Sequence, residues 1–188
     1  GIGCGDAVAA VLSGKMNPSG RLAATWAVRY ADYPCADGFG EKFDSYYKEG
    51  VFVGYRWFDS LGKAVLYPFG YGLSYTKFSY RDLRAEQNGD TWSVRVRVRS
   101  EEGPEGVETV QLYIRDCSAS RVRPVQELRG VQRVRLLPGE EREVCFSLTK
   151  DDLSFWNGSS FAAEPGEFLV MAGSSSSHVL SQSITLAD

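Results

Sequence analysis

Short runs in which apolar and polar residues alternate dominate the second half of the chain. The runs lie at residues 92–98, 110–114, 144–148, 168–172 and 179–186. A period of two is typical of antiparallel strands that bury one face and expose the other. Turn signals such as Asn-Gly and Pro-Gly separate the runs. Short alternating strands divided by turns predict an immunoglobulin-like β-sandwich.

The first part of the chain follows a different pattern. Residues 4–14 predict a short helix, which Asp6 would cap and which Gly14 would follow directly after the last turn. The apolar face of this helix carries Val8, Val11 and Leu12. Asn-Pro-Ser-Gly at 17–20 has the chemistry of a type I turn, and residues 21–27 predict a strand. A helix, a turn and a strand are one step of an α/β fold, and a parallel strand needs further neighbours.

These patterns divide the chain into three parts. We predict that residues 1–66 are the C-terminal part of an α/β domain with a long irregular loop at 28–50. Residues 67–77 are predicted to form an ordered linker, and residues 78–188 form the sandwich, so the fold is mainly β. Loops as long as 28–50 are usually functional or mobile. The aromatic residues of 51–58 and of the linker are expected to be buried between the two domains.

Charge and hydropathy exclude several classes of partner. The net charge is −3 and the pI is near 5.3, which argues against a nucleic-acid partner because phosphate binding needs a basic patch. There is no run of about 18 apolar residues, so no membrane span is predicted. The first residues lack the basic region and apolar run of a signal peptide, and nothing else in the sequence indicates a compartment.

The four cysteines and the single histidine indicate no chemistry of their own. No cysteine pair has metal-binding spacing, so we predict no metal ion and no other cofactor. A disulfide framework needs denser cysteines, and Cys145, at a strand position, is predicted to be a small packed side chain. His178 has no neighbouring nucleophile motif, so it is predicted to be a surface residue of a strand.

Several longer motifs carry a resemblance to one enzyme family. They are Asn-Pro-Ser-Gly-Arg-Leu at 17–22, Tyr-Lys-Glu-Gly-Val-Phe-Val-Gly-Tyr-Arg-Trp-Phe-Asp at 47–59, Tyr-Pro-Phe-Gly-Tyr-Gly-Leu-Ser-Tyr-Thr-Lys-Phe at 67–78, Arg-Pro-Val-Gln-Glu-Leu-Arg-Gly at 123–130 and Glu-Pro-Gly-Glu-Phe at 164–168. In this order they resemble glycoside hydrolase family 3, which includes β-glucosidases and β-xylosidases. The resemblance extends over nearly the whole chain, so it is far more specific than a single short motif.

The resemblance implies an enzyme built from three modules. These are a (β/α)₈-type barrel with an aspartate nucleophile, an α/β sandwich with a glutamate acid/base, and a fibronectin type III-like domain. Retaining hydrolysis needs both carboxyl groups, and neither family position maps onto this chain. The resemblance therefore implies a non-catalytic portion, inactive alone, that buttresses the active site. Its partners would be the barrel, the rest of the α/β domain and, through the full enzyme, a β-linked glucoside or xyloside.

Among the carboxylates, Glu49 and Asp59 flank the apolar run at 51–58 and invite comparison with a catalytic pair. We predict instead that each anchors the interdomain segment through backbone groups or Arg56. The loop carboxylates Asp32, Glu41 and Asp44 are expected to be solvated; the alternative is contact with a sugar.

Aromatic rings can stack on the apolar faces of sugars or seal a domain junction. We expect interface packing for Tyr55, Trp57 and Phe58. Tyr46 and Tyr47 lie nearest to the loop and are the predicted substrate-binding residues.

A second class of function stays open at this point. A β-sandwich can also serve as a stand-alone module that binds carbohydrate or protein, because fold alone does not determine function. The helix–strand step at 1–30 argues against it, since a free-standing module has no use for one. Arg95, Arg97 and Arg99 are predicted to form a solvated strand face; the alternative is contact with an acidic surface of the barrel.

Overall fold

Little regular structure occurs before the sandwich. The computed structural model describes residues 2–38, 40, 43–44 and 46–187. Helix α1 spans Cys4–Leu12, strand β1 Trp26–Ala27, helix α2 Tyr55–Ser60 and strand β2 Val65–Tyr67. β1 and β2 pair in antiparallel orientation. Two single turns of 3-10 helix, Tyr30–Asp32 and Ala36–Gly38, lie in the long segment between β1 and α2.

Helix α1 was predicted correctly in position but not in its cap. It ends at Leu12, and Gly14 follows the last turn with a φ of +74°, which a glycine adopts without strain. The N-cap residue is Gly3, and no side chain caps the helix. Asp6 lies inside the first turn, so the prediction that it caps the helix is wrong.

Residues 17–27 depart from the prediction more strongly. The described backbone forms no hydrogen-bonded turn at 17–20, and strand structure is limited to Trp26–Ala27. Leu22 pairs with the linker instead: its N–H donates to the Tyr71 carbonyl and its carbonyl accepts from the Gly70 N–H, both at 2.8 Å. A strand over all of 21–27 would need a long neighbouring strand, and β2 has only three residues.

The long strands of the second half form two antiparallel sheets. β3 (Lys77–Asn88), β4 (Thr91–Glu102) and β7 (Glu141–Thr149) form a sheet in the order β3-β4-β7. β5 (Gly106–Asp116), β6 (Glu127–Leu136), β10 (Gly166–Ser175) and β11 (His178–Leu186) form the other in the order β11-β10-β5-β6. A short helix α3 (Lys150–Leu153) and a small hairpin, β8 (Phe155–Trp156) with β9 (Phe161–Ala162), precede β10. This architecture confirms the predicted sandwich.

The alternating pattern directs side chains as predicted on β4. Trp92, Val94, Val96 and Val98 are buried between the sheets. Arg95, Arg97 and Arg99 point to the opposite, exposed face of the strand, as the alternation predicts. A period of two puts neighbouring residues on opposite faces.

The same geometry corrects the prediction for Cys145. On β7, Val144 and Phe146 are buried, so Cys145 between them is exposed and is not a packed core residue. His178, at the first position of β11, is exposed as predicted. No helix among the described residues is long and apolar enough to cross a membrane.

Candidate functional site

The predicted substrate-binding residues lie on the outside of the molecule. Tyr46 is 62% exposed and Tyr47 is 85% exposed. Of the loop carboxylates, Asp44 is exposed, as expected, and Glu41 lies outside the described residues. Asp32 is only partly exposed and accepts hydrogen bonds from the backbone N–H and guanidinium of Arg29. Its side-chain hydrogen bond with Arg29 lowers the pKa of Asp32.

Glu49 accepts a hydrogen bond from the Cys35 thiol and forms no ion pair with Arg56. The Cys35 Sγ donates to Glu49 Oε2 at 2.9 Å, so the two ends of the segment between residues 35 and 49 are joined. This hydrogen bond lowers the pKa of Glu49 and raises the pKa of Cys35. Cys35 has a φ of +59°, unusual for a residue with a side chain. Both residues line a cleft of about 200 Å³ with Trp57 and Lys48.

Asp59 lies in a different environment. Its Oδ2 accepts from Gln126 Nε2 at 2.7 Å, and the same amide donates to the Ser176 carbonyl at 2.8 Å. Burial raises the pKa of Asp59, and the Gln126 hydrogen bond opposes this. Arg56 contacts neither predicted carboxylate; it pairs with Glu127 at 3.4 Å. Glu49 and Asp59 thus both anchor the segment around residues 51–58, but through Cys35 and Gln126 and not through Arg56. Asp59 lines a separate cleft of about 410 Å³.

The aromatic residues of α2 connect this segment to the sandwich. The Tyr55 ring stacks on Phe69 with centroids 4.7 Å apart and meets Tyr113 of β5 edge-on. Its hydroxyl accepts from the Leu128 N–H at 2.7 Å. Phe58 is buried and packs edge-on against Tyr33. Tyr55 thus packs against the sandwich as predicted, whereas Trp57 donates its Nε1–H to the Asp32 carbonyl at 3.1 Å, within the first part of the chain.

The linker aromatics are only partly buried. Phe69 and Tyr71 are partly covered, whereas Tyr67 and Tyr75 are exposed. The expectation that all linker aromatics are buried between the domains is therefore wrong. Tyr67 instead lines an open groove of about 500 Å³ with Leu22, Trp26 and Leu73.

A buried ion pair joins the first part of the chain to the sandwich. Arg21, which follows the 17–20 segment, pairs with Glu108 of β5. Glu108 is 1% exposed, and its second oxygen accepts from the Tyr80 hydroxyl at 2.7 Å. Burial raises the pKa of Glu108, while Arg21 and Tyr80 oppose this rise. Burial, with the neighbouring Glu108 carboxyl, also raises the pKa of Tyr80.

Asn17 supplies a second polar connection at the same junction. Its side-chain amide donates to Thr76 Oγ1 at 2.8 Å and to the Glu105 carbonyl at 3.0 Å. Its side-chain oxygen accepts from Ser74 Oγ at 3.0 Å and from the Tyr75 N–H at 2.9 Å. An asparagine side chain has two donor hydrogens and two acceptor lone pairs, so this one residue uses all four.

Sequence reasoning missed the Arg21–Glu108–Tyr80 cluster, although one signal for it was present. Glu108 has the same parity along β5 as the inward-facing Val110 and Leu112. An acidic residue at an inward position must be paired, because an isolated buried charge is very costly. No comparable signal pointed to Asn17 or Gln126, whose partners are distant in sequence. Among the described residues, no three metal-binding side chains lie close enough together to hold an ion.

Comparison with known proteins identifies the two parts of the chain. Residues 1–75 match the family model described as "Glycosyl hydrolase family 3 C-terminal domain". Residues 108–176 match the model described as "Fibronectin type III-like domain". The chain corresponds to the C-terminal part of family 3 glycoside hydrolases. The predicted family resemblance is thereby confirmed.

Individual family 3 proteins align with almost the whole chain. Thermostable beta-glucosidase B of Acetivibrio thermocellus is 42% identical over 187 residues, which cover 96% of this chain and 25% of that protein. The exo-alpha-(1->6)-L-arabinopyranosidase of Bifidobacterium breve is 36% identical and also covered to 25%. The solved structure of beta-glucosidase 3B from Thermotoga neapolitana in complex with glucose superimposes with a TM-score of 0.92 at 38% identity, covering 99% of this chain and 27% of that one. The chain thus spans about a quarter of the length of these family 3 relatives.

Proposed function

We propose that this chain is the non-catalytic C-terminal portion of a retaining exo-β-glycosidase acting on β-linked glucosides or xylosides. In this role residues 1–66 complete the α/β domain, residues 67–77 link the domains, and residues 78–188 buttress the active-site side. The names of two relatives above, both β-glucosidases, support the substrate class. A third relative is named an exo-alpha-(1->6)-L-arabinopyranosidase, so the proteins that this chain resembles differ in the sugar of their names.

The distribution of exposed apolar side chains carries the proposal. Of the 23 large hydrophobic side chains that are exposed among the described residues, 18 lie within residues 2–75 and only five in the sandwich. They include Val8 and Leu12 of α1, and Trp26 and Tyr67 of the β1–β2 pair. Exposed apolar patches of this kind mark surfaces that bind other protein segments. The natural occupant is the remainder of the α/β domain.

The two carboxylates that were compared with a catalytic pair support an inactive chain. In a retaining enzyme the two carboxyl groups lie about 5–5.5 Å apart across the scissile bond. Here Glu49 accepts from Cys35, and Asp59 accepts from Gln126 in a separate cleft. Each carboxylate therefore has a structural partner within this chain, and both catalytic carboxyl groups are expected to come from outside it.

Activity measurements test this proposal directly. The 188-residue chain alone is expected to give no turnover of aryl β-glucoside or aryl β-xyloside, because it lacks the nucleophile and the acid/base. A mixture with the remainder of its parent enzyme is expected to hydrolyse one of them. Turnover by the chain alone would contradict the proposal, and Glu49→Gln and Asp59→Asn variants would then show which carboxylate is responsible. A mixture that binds oligosaccharide without hydrolysing it would favour a stand-alone binding module.

We further propose that Tyr46 and Tyr47 contact the substrate in the complete enzyme. Both rings are exposed on the long loop, whose base is held by the Cys35–Glu49 hydrogen bond. In the active mixture Tyr47→Ala is expected to raise KM by about tenfold with little change in kcat, the result of losing binding that substrate and transition state share. The matched variant Tyr47→Phe keeps the stacking face and should stay near wild type. Equal effects of Tyr47→Ala and Tyr47→Phe would contradict a stacking role.

A further inference from the structure

The sandwich leaves two aromatic rings exposed. Among its described residues, every other tryptophan, tyrosine and phenylalanine is buried or half-buried. Trp156 is 55% exposed and Phe161 is 73% exposed. They are cross-strand neighbours in the β8–β9 hairpin and meet edge-on, with ring centroids 5.5 Å apart and ring planes at 65° to each other. We call this pair the hairpin platform.

The hairpin platform has a firm base. Next to Trp156, Phe155 points inward and is buried, and the Arg123 guanidinium lies 5.1 Å from the centroid of its ring. Arg123 is itself held by ion pairs to Asp116 and Glu127, at 2.9 and 2.5 Å. The side chains beneath the platform are thus fixed by packing and by charge.

The connecting loop of the hairpin is also ordered by its own hydrogen bonds. Asn157 Oδ1 accepts from the backbone N–H groups of Ser159 and Ser160 at 2.9 and 3.0 Å. The Asn157 carbonyl accepts from Arg121 at 3.2 Å. The two rings are therefore presented on a preorganised support, which lowers the ordering cost of binding.

The size of the hairpin platform decides between kinds of ligand. A stable protein–protein interface buries about 800 Å² on each partner, whereas even a fully buried aromatic side chain contributes only about 150–250 Å². Two partly exposed rings are too small for a protein interface but match one or two sugar rings. The neighbouring Ser159 and Ser160 are exposed and offer hydroxyl groups to a ligand that is apolar on its faces and polar around its edge.

We propose that the hairpin platform of Trp156 and Phe161 is a binding site for β-linked gluco-oligosaccharides. Because the two ring planes are 65° apart, one ring stacks on the C–H face of a pyranose while the other contacts its edge. The hairpin loop offers polar contacts to the hydroxyl groups of the sugar. The choice of β-linked glucose rests on the proposed function. The site itself needs no catalytic carboxylate, so binding is measured without turnover.

Titration of the 188-residue chain with cellotetraose tests the site. The chain has four tryptophans, so four indole N–H signals are expected in a nitrogen-15 NMR spectrum, and a Trp156→Phe variant assigns that of Trp156. The Trp156 signal is expected to shift on titration while that of buried Trp92 stays. Trp156→Ala with Phe161→Ala is expected to weaken binding by about tenfold or more. Leu137→Ala, an equally exposed apolar position outside the hairpin, serves as the matched control and should bind like wild type.

Further measurements keep the test decisive. Trp156→Tyr retains a stacking face and should retain most of the binding even if the alanine variants disturb the hairpin. Maltotetraose, whose α-linkages coil the chain, should bind more weakly than cellotetraose. Unchanged affinity in the double alanine variant, equal binding of the two sugars, or self-association of the chain that the double variant abolishes would each overturn the proposal. Loss of turnover in the reconstituted enzyme would bear on the proposed function and not on this site.

Discussion

Glu108→Ala is expected to lower the free energy of unfolding of the 188-residue chain by about 3–5 kcal/mol, the usual cost of breaking a buried ion pair by removing one partner. The substitution leaves the Arg21 guanidinium, with a side chain only 13% exposed, beside an apolar gap. It also removes the acceptor of the Tyr80 hydroxyl. Urea unfolding followed by tryptophan fluorescence measures the change.

A double variant separates the effect of the charge from the effect of the contact. Replacing both partners, in an Arg21→Met and Glu108→Leu double variant, should recover most of the lost stability, because no unpaired buried charge remains. If Glu108→Ala changed stability by less than about 1 kcal/mol, the pair would contribute no more than an exposed one. A double variant as unstable as Glu108→Ala would show that shape, and not charge, is what the junction needs.

The pH dependence of the Glu108→Gln variant checks the same cluster. Burial raises the pKa of Glu108 above its ordinary value of 4.5, so the folded chain holds this proton more firmly than the unfolded chain does. The part of the stability that comes from this pKa difference is therefore complete below about pH 4.5 and is lost as the pH rises through the folded pKa. Glu108→Gln cannot titrate there. The free energy of unfolding of wild type, relative to that of Glu108→Gln, should therefore fall as the pH rises. Unfolding measurements at several pH values test this. A difference in unfolding free energy that stays constant with pH would contradict the raised pKa of Glu108.

Gly72→Ala is expected to lower the free energy of unfolding by about 1–3 kcal/mol or more, because overpacking a tight contact destabilises the folded state. A methyl group at this position would overlap the Gly20 carbonyl oxygen and lie 2.8 Å from Cδ of Arg21. The clash is with backbone, which cannot rotate away. It would separate the 20–22 segment from the linker, break the Leu22–Tyr71 pairing and pull Arg21 away from Glu108.

The partner glycine in this contact gives a matched control. Gly20 has open space around the position of a β-carbon and does not have a left-handed backbone. Gly20→Ala should therefore stay within about 0.5 kcal/mol of wild type. Thermal unfolding and limited proteolysis between residues 67 and 77 would report both variants. Equal stability of Gly72→Ala and Gly20→Ala would mean that the close approach of the two segments contributes nothing.

The alternation of apolar and polar residues was sufficient to predict the sandwich but not all of its side chains. It placed Val94 and Val96 in the core and Arg95 and Arg97 outside correctly. Cys145 was misassigned because its residue type was given more weight than its parity between Val144 and Phe146. On β5, the alternation of Val110 and Leu112 also places Glu108 inside the sandwich. A strict use of the pattern would therefore have found the buried acid that pairs with Arg21.

The first part of the chain was harder to predict because its interactions are not local. The propensity of residues 21–27 for strand is real, but the backbone there finds only the linker and the three residues of β2 as neighbours. Asn17 was assigned to a turn on local chemistry, whereas its side chain bonds to residues 74–76 and to Glu105. Local rules cannot rank a turn against four hydrogen bonds to distant segments.

The sequence by itself determined the sandwich, the position of α1 and the family. These follow from residue periodicity and from motifs that are continuous along the chain. Only the tertiary structure decided which partners hold Glu49 and Asp59, that Arg21 and Glu108 meet, and that Trp156 and Phe161 form an exposed pair. The physical reason is that burial, pairing and exposure depend on which distant segments pack together, and packing is a property of the whole fold.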